Sequence, residues 1–320
     1  MMNEKRCLYC YQSLPKDATD FHEYCSRKFF GSAVPPILDY GNEQMQELAR
    51  EIVIRSVTVT GVQPKLSLTI EKVPGDPKKS RLTIVGLWGS YILKPPTAAF
   101  PNLPENEDLT MHLSELFGIP TASHSLIRLQ SGELAYITKR FDRINNSKLA
   151  LEDMCQLTET LTSDKYRSSM EKVGKCITKY STSPGIDHIS FFETALLSFL
   201  TGNADMHLKN YSLLTTSEND IKLAPAYDLV CTKIAMPEDR DEMGLSINAR
   251  KRKLRKSDFD SLATNLKISE KSMNNIYKRF ANKLDEAFQL IDISFLPETL
   301  KASYKEIITE NAGKIELSKS

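Results

Sequence analysis

The pattern of apolar and polar positions changes character partway along this chain. Residues 42–51 have helical spacing, and the β-branched run over 52–60 predicts one or two strands. A turn at Gly61 follows, then a strand over 64–70 with alternating apolar positions. Pro74-Gly75-Asp76-Pro77 reads as a loop from its turn chemistry. A further strand over 89–94 stops at Pro95-Pro96, which can continue neither a ladder nor a helix. Leu109, Leu113, Leu116 and Phe117 share one face of a helix over 104–117, with an acidic first turn and Gly118 at its end. Strands near 125–129 and 134–140 complete a mostly β first part. Past Phe141-Asp142-Arg143 the pattern is helical almost throughout. Ile189, Phe192, Leu196, Phe199 and Leu200 form the apolar stripe of a buried helix that runs straight into residues 202–210. Residues 256–320 read as polar, amphipathic helices. The expected organisation is α+β: a Cys/His-containing segment over 1–35, closed by Gly31 and Pro35-Pro36, a β-rich N-lobe over 36–140 and a helical C-lobe over 141–320.

Composition narrows the classes. At 320 residues the chain suits two lobes, and 41% apolar with 26% charged content is ordinary for a globular protein. Lys and Arg number 42 against 41 Asp and Glu, which gives no electrostatic argument for nucleic acid or membrane. No apolar stretch of about 18 residues could span a bilayer; the longest, near 191–200, is broken by Glu193, Thr194 and Ser198. No signal-like run precedes Cys7, so a cytoplasmic location with reduced thiols is expected. Cys155, Cys176 and Cys231 are scattered and read as structural. Cys7-x2-Cys10 and His22-x2-Cys25, eleven residues apart, are two chelating pairs that could surround one tetrahedral Zn²⁺, or else small buried residues of an N-terminal cap.

The sharpest chemistry lies in Gly202-Asn203-Ala204-Asp205-Met206-His207-Leu208-Lys209-Asn210. An Asp with an Asn five positions later is the spacing of the protein-kinase catalytic loop, where the Asp takes the acceptor hydroxyl's proton and the Asn holds magnesium. Ala226-Tyr227-Asp228-Leu229 offers a second carboxylate, flanked as a metal-binding Asp at a strand end is. Mg²⁺ wants hard oxygen ligands of this kind. Any one of these residues is equally well a loop polar capping a helix end; together they point to ATP-dependent phosphotransfer. Lys94, closing a strand before the double proline, could reach nucleotide phosphates, with Glu107, Glu105 or Asp108 as its ion-pair partner. No G-x-G-x-x-G or Walker A run occurs, and Val59-Thr60-Gly61-Val62-Gln63-Pro64-Lys65 supplies a single glycine. The arrangement is that of a bilobal protein-kinase-like fold, with the cleft as the expected nucleotide site.

Six ordered stretches resemble the HipA family of bacterial serine/threonine protein kinases: Gly61-Val62-Gln63-Pro64-Lys65; Tyr91-Ile92-Leu93-Lys94-Pro95; Lys139-Arg140-Phe141-Asp142-Arg143; Glu152-Asp153-Met154-Cys155-Gln156; Asn203-Ala204-Asp205-x-His207-x-Lys209-Asn210; and Tyr227-Asp228. They extend over about 55–230. The resemblance implies Asp205 as catalytic base, Asn210 and Asp228 as Mg²⁺ ligands, Lys94 as the phosphate lysine and Lys65 near the phosphates from the loop of Gly61. It implies Lys139 to Phe141 as the hinge that reads adenine, Asp142 close to the ribose, and His207 as support for the catalytic loop, where a lone histidine is otherwise a structural hydrogen-bonder. It also implies autophosphorylation of a Gly-loop hydroxyl, here Thr58 or Thr60, which silences the kinase. Phosphate there adds about −1.5 to −2 charge where ATP's own phosphates bind.

With about 50 residues ahead of the kinase motifs, the chain looks like the shorter HipT-like form lacking the usual N-terminal subdomain. The implied partners are a HipB-like helix-turn-helix antitoxin, a separate small HipS-like protein and a protein substrate such as an aminoacyl-tRNA synthetase. The alternatives are a small-molecule or lipid kinase, against which the lack of a membrane-binding amphipathic stretch counts, and an ATP-binding regulatory module, against which the intact Lys94, Asp205, Asn210 and Asp228 count.

Overall fold

The computed structural model describes residues 5–55, 65–86, 88–144 and 147–317. The chain forms two compact units, one of Met1–Asp108, Ala122–Phe141 and Ile293–Phe295, the other of Leu109–Thr121, Asp142–Asp292 and Leu296–Ser320.

The first unit is built on an antiparallel sheet. After α1 (Glu23–Phe30) and α2 (Asn42–Arg55) come β1 (Leu66–Val73), β2 (Asp76–Val85), β3 (Tyr91–Lys94) and α3 (Leu103–Leu116), then β4 (His124–Arg128) and β5 (Leu134–Lys139). The five strands lie in the order β2-β1-β3-β5-β4. Leu66 and Leu68 of β1 are buried while Ser67 and Thr69 are half-exposed, the two-residue alternation of a sheet with one covered face. Leu82, Leu93, Leu126, Ala135 and Ile137 join them, and Cys7, Leu8, Phe29, Phe30 and Met45 pack onto this core from the N-terminal segment and α2. Both outer strands have their free edges occupied. The Leu126 amide of β4 donates to the Leu8 carbonyl at 3.2 Å, and residue 37 pairs with β2 through Ile37 N to Ser80 O and Leu82 N to Ile37 O, each 2.8 Å. Covering an edge in this way removes a template for strand addition.

The second unit takes the C-terminal part of α3 and continues with the hairpin β6 (Arg143–Ile144) and β7 (Ser147–Lys148), then β8 (Leu151–Asp153), α4 (Met154–Leu157), α5 (Met170–Tyr180) and α6 (Pro184–Leu200). β9 (Ser212–Thr215), β10 (Ile221–Leu223), α7 (Thr232–Ala235), α8 (Lys256–Asn265), α9 (Glu270–Asp292) and α10 (Glu298–Lys314) complete it. β10, β9 and β8 form a small sheet in that order. α6 is its spine: every residue over 191–200 is buried. The polar residues there are accommodated locally, Thr194 and Ser198 by back-bonding to Ser190 and Thr194 carbonyls and Glu193 by Arg279 at 2.5 Å. Among the described residues no helix is long and apolar enough to cross a membrane.

Three expectations need correction. Residues 52–55 belong to α2, not to a strand: once a helix is nucleated at Asn42, each added residue is cheap, and β-branching costs only a few tenths of a kcal/mol. Ser56 to Pro64 lie outside the described residues, and with them Thr58, Thr60 and Gly61. β2 begins at Asp76, inside the expected loop, and the second unit carries strands that its helical pattern does not announce.

Candidate active site

The segment Gly202 to Asn210 is shaped first by the way α6 ends. Gly202 has φ 67°, its amide donates to the Phe199 carbonyl at 3.1 Å, and the Asn203 amide donates to the Ser198 carbonyl at 2.7 Å. This paired geometry is a Schellman ending, which needs a left-handed residue next to the cap. A side chain at Gly202 would also meet Ile307 Cγ2 at 2.9 Å. Asn203 Oδ1 then accepts the Asp205 amide at 3.1 Å, an Asx turn. Thr232 Oγ1 donates to the Gly202 carbonyl at 3.0 Å and accepts the Ala204 amide at 2.8 Å. Gly244 packs so closely beneath the loop that a Cβ there would lie 2.6 Å from the Met206 carbonyl oxygen and 2.8 Å from that of Ala204.

Within this frame Asp205 and Asn210 come together. Asn210 Nδ2 donates to the Asp205 carbonyl at 3.1 Å, which leaves its amide oxygen as the free end of a nearly buried side chain. Lys209 Nζ donates to Asp153 Oδ2 at 2.9 Å, and Asp153 Oδ1 caps α4 by accepting the Gln156 amide at 3.0 Å. Tyr227 OH donates to the Lys209 carbonyl at 2.9 Å and shares a 2.6 Å hydrogen bond with Ser212 Oγ. The next residue, Asp228, holds a left-handed φ of 59°, a conformation that a non-glycine residue keeps only where its surroundings over-determine it. Three of the six sequence motifs thus meet at one brace: Asp153, Lys209 and Tyr227.

Tyr166 donates its hydroxyl to Asp205 Oδ1 and stands edge-on to the His207 ring at 5.0 Å. Burial pushes the Tyr166 phenol up, and the Asp205 charge adds to it. Burial also lowers the His207 imidazole below its ordinary value, against the upward pull of Asp205 and Asp228. A cavity of about 200 Å³ opens beside Asp205, lined by Tyr166, Thr232, Asp239, Gly244 and Lys251 among others. Tyr166, Thr232 and Gly244 carry no motif spacing, and sequence reasoning passes over them.

In the first unit, Lys94 is 3% exposed on the central strand β3, beside Tyr136 of β5, with its ammonium 5.4 Å from that ring's centre. Of the three carboxylates open to it, Glu107 is the ion-pair partner. Asp108 turns instead to Tyr11, whose hydroxyl donates at 2.6 Å, and to His124 Nδ1 at 2.8 Å. Lys65 is exposed at the start of β1, Lys139 ends β5, and Phe141 closes the first unit's middle stretch. Asp142 opens the next stretch, is buried, and pairs with Arg143 at 2.5 Å. Cys7, Cys10, His22 and Cys25 converge at the N-terminal end of α1.

The donor set of the second unit fits a magnesium ion: the Asn210 amide oxygen and the Asp228 carboxylate are hard oxygens. Beside them His207 Nδ1 and Asn203 Nδ2 are buried without a hydrogen-bond partner among the described residues, the kind of orphaned atom that a bound ligand or water satisfies.

Comparison with known proteins shows the family of the chain. A model described as the HipA-like C-terminal domain matches residues 57–288. The protein named "Putative kinase Y4dM" from Sinorhizobium fredii is 32% identical over 257 residues, 75% of this chain and 60% of its own length. The serine/threonine-protein kinase toxin HipA of Shewanella oneidensis is 27% identical over 207 residues, 58% of this chain and 45% of its own. The chain spans about half the length of the curated relatives it matches, from 45% to 60%. Among solved structures, a chain of the Shewanella oneidensis HipA, HipB and operator DNA complex superposes with a TM-score of 0.67 at 22% identity, covering 84% of this chain and 71% of that one. That likeness speaks for the α+β, kinase-like fold. The chain belongs to the HipA-like C-terminal domain family.

Proposed function

We propose that this protein is an ATP- and magnesium-dependent serine/threonine protein kinase of the HipA toxin type. The observation that carries the reading is the braced loop in which Asn210 is clamped to the Asp205 backbone and the Asp205 carboxylate receives a hydroxyl. Asn210 and Asp228 would hold the magnesium, which when bound neutralises charge on the nucleotide phosphates. Asp205 accepts the proton of the attacking hydroxyl. The Tyr166 hydroxyl makes the hydrogen bond that an acceptor Ser or Thr needs, so Tyr166 must yield for an acceptor to enter. His207, held neutral by burial, packs against Tyr166 and supports the loop without adding charge. On the first unit Lys94, kept in place by Glu107, is the phosphate-binding lysine, as the strand lysine and helix glutamate are in protein kinases. Lys65 and the loop of Gly61 are assigned to the phosphates, Lys139 to Phe141 to adenine and Asp142 to the ribose, on the family resemblance.

The same reading makes the protein a toxin partnered by a HipB-like helix-turn-helix antitoxin, which is supported by the complex in which the Shewanella oneidensis HipA was solved. Its substrate is then a translation component such as an aminoacyl-tRNA synthetase, with a HipS-like small protein as a further partner. The test is phosphate transfer from Mg·ATP to the protein itself, with phosphosite mapping, beside Asp205→Ala. Incorporation at Thr58 or Thr60 that falls at least about a hundredfold in the variant is expected. No incorporation into dephosphorylated protein that still binds ATP would sink the autophosphorylating reading.

A further inference from the structure

The Cys/His segment has a geometry that the kinase reading does not use. One ligand atom each from Cys7, Cys10, His22 and Cys25 lie within 4.8 Å of one another. His22 Nδ1 is 3.4 Å from Cys10 Sγ and 3.7 Å from Cys25 Sγ. Tetrahedral zinc, with Zn–S of about 2.3 Å and Zn–N of about 2.0–2.1 Å, separates a sulfur and a nitrogen ligand by about 3.6 Å. The observed spacings bracket that value.

The other ring nitrogen settles the tautomer. His22 Nε2 lies 3.0 Å from the Ser13 carbonyl, an acceptor only, so Nε2 carries the proton and Nδ1 points its lone pair at the sulfurs. Metal-ligating histidines are held in this way by an outer acceptor. The backbone is built to converge as well. Cys7 N donates to the Gln12 carbonyl and Tyr11 N to the Cys7 carbonyl, both at 2.9 Å, folding Cys7 and Cys10 into a tight knuckle that ends on the left-handed Tyr11, φ 63°. His22 is the N-cap residue of α1 and Cys25 lies in its first turn. Three thiols and an imidazole in tetrahedral reach select zinc over the hard cations.

The knuckle is fastened to β4 on one side and to α3 on the other. The Leu8 carbonyl accepts both the Leu126 amide at 3.2 Å and Ser125 Oγ at 3.1 Å. Tyr11, directly after Cys10, donates to Asp108 at 2.6 Å, next to the Glu107 that pairs with Lys94. We propose that Cys7, Cys10, His22 and Cys25 bind one structural zinc ion, and that the knuckle it closes anchors α3 through Tyr11. This inference does not depend on the protein being an active kinase.

The test is elemental analysis for zinc and iron of the untagged full chain, purified under reducing conditions from zinc-replete cells. About one zinc per chain is expected, released when a mercurial blocks the thiols. Cys10→Ser and His22→Ala are expected to fall below about a fifth of that, and His22→Cys, which restores a four-ligand set, to keep it. Tyr11→Phe is expected to retain full zinc yet melt several degrees lower, because it removes a 2.6 Å hydrogen bond to a buried carboxylate. Wild-type zinc below about a fifth of equimolar, a disulfide among the three cysteines in peptide maps, or undiminished zinc in both His22→Ala and Cys10→Ser overturns the site. An unchanged melting temperature in Tyr11→Phe overturns the anchor.

Discussion

An ammonium group at 3% exposure, as at Lys94, is tolerable only beside a counter-charge, and Glu107 at 2% supplies it. Removing one partner of such a pair leaves an uncompensated charge, which typically costs about 3–5 kcal/mol, whereas replacing both with apolar groups of similar volume is often nearly neutral. Glu107→Ala is therefore expected to lose about 3 kcal/mol in urea unfolding, and Lys94→Met with Glu107→Leu to recover most of it. A loss below about 1 kcal/mol in the single variant would show the pair to be solvated. The choice of Glu107 was not legible in the sequence. Glu105, Glu107 and Asp108 point in different directions around α3, and only packing against the sheet sets the phase of a helix. The Cys/His set and the Asp205–Asn210 pair were legible because their chemistry comes with a spacing. Tyr166 and Gly244 were not, because each meets the 202–210 segment across about 40 positions of chain with no motif to announce it.

At the scale of elements, the loop after α6 owes its shape to neighbours more than to itself. Thr232 and Gly244 hold its backbone from beneath, and Asp153 and Tyr227 hold Lys209 from the side. Gly244→Ala puts a methyl group against two backbone carbonyls that cannot swing aside like a side chain. It is expected to cost about 1–3 kcal/mol of stability, and to depress the autophosphorylation proposed above far more than that loss explains, because the Asp205 backbone must shift. Thermal melts beside phosphate incorporation at a temperature where the variant is folded separate the two effects. The elements read correctly from sequence included those with clear apolar patterning: β1, β3, α3, β4, β5 and α6. β2 escaped because its first half, Asp76 to Arg81, has no apolar alternation and opens on a Gly-Asp-Pro turn signal, so its pairing with β1 supplies what its own pattern lacks. β8 to β10 are three or four residues each, too short for alternation to register.

Over the whole molecule, the family and its α+β kinase-like fold follow from ordered motifs that no single element carries. The two units are not consecutive in sequence. Ile293–Phe295 belongs to the first unit, where Arg6 donates to the Ser294 carbonyl at 3.3 Å and the Phe295 ring meets Tyr11 edge-on at 5.3 Å. Phe295→Ala is expected to cost about 2–3 kcal/mol. Its effect should appear as faster hydrogen exchange at the amides of β4 and β5. Acceleration confined to α9 and α10 would contradict the assignment of Phe295 to the first unit. The occupied edge of β4 carries a consequence for synthesis. Leu8 leaves the ribosome more than a hundred residues before the strand it pairs with, and Phe295 emerges later still. Cys7 to Cys25, by contrast, are close neighbours in sequence and can gather while translation continues. The knuckle can thus gather early and wait for its seat, and the first unit is finished only after Phe295 has followed the whole of β1 to β5 off the ribosome.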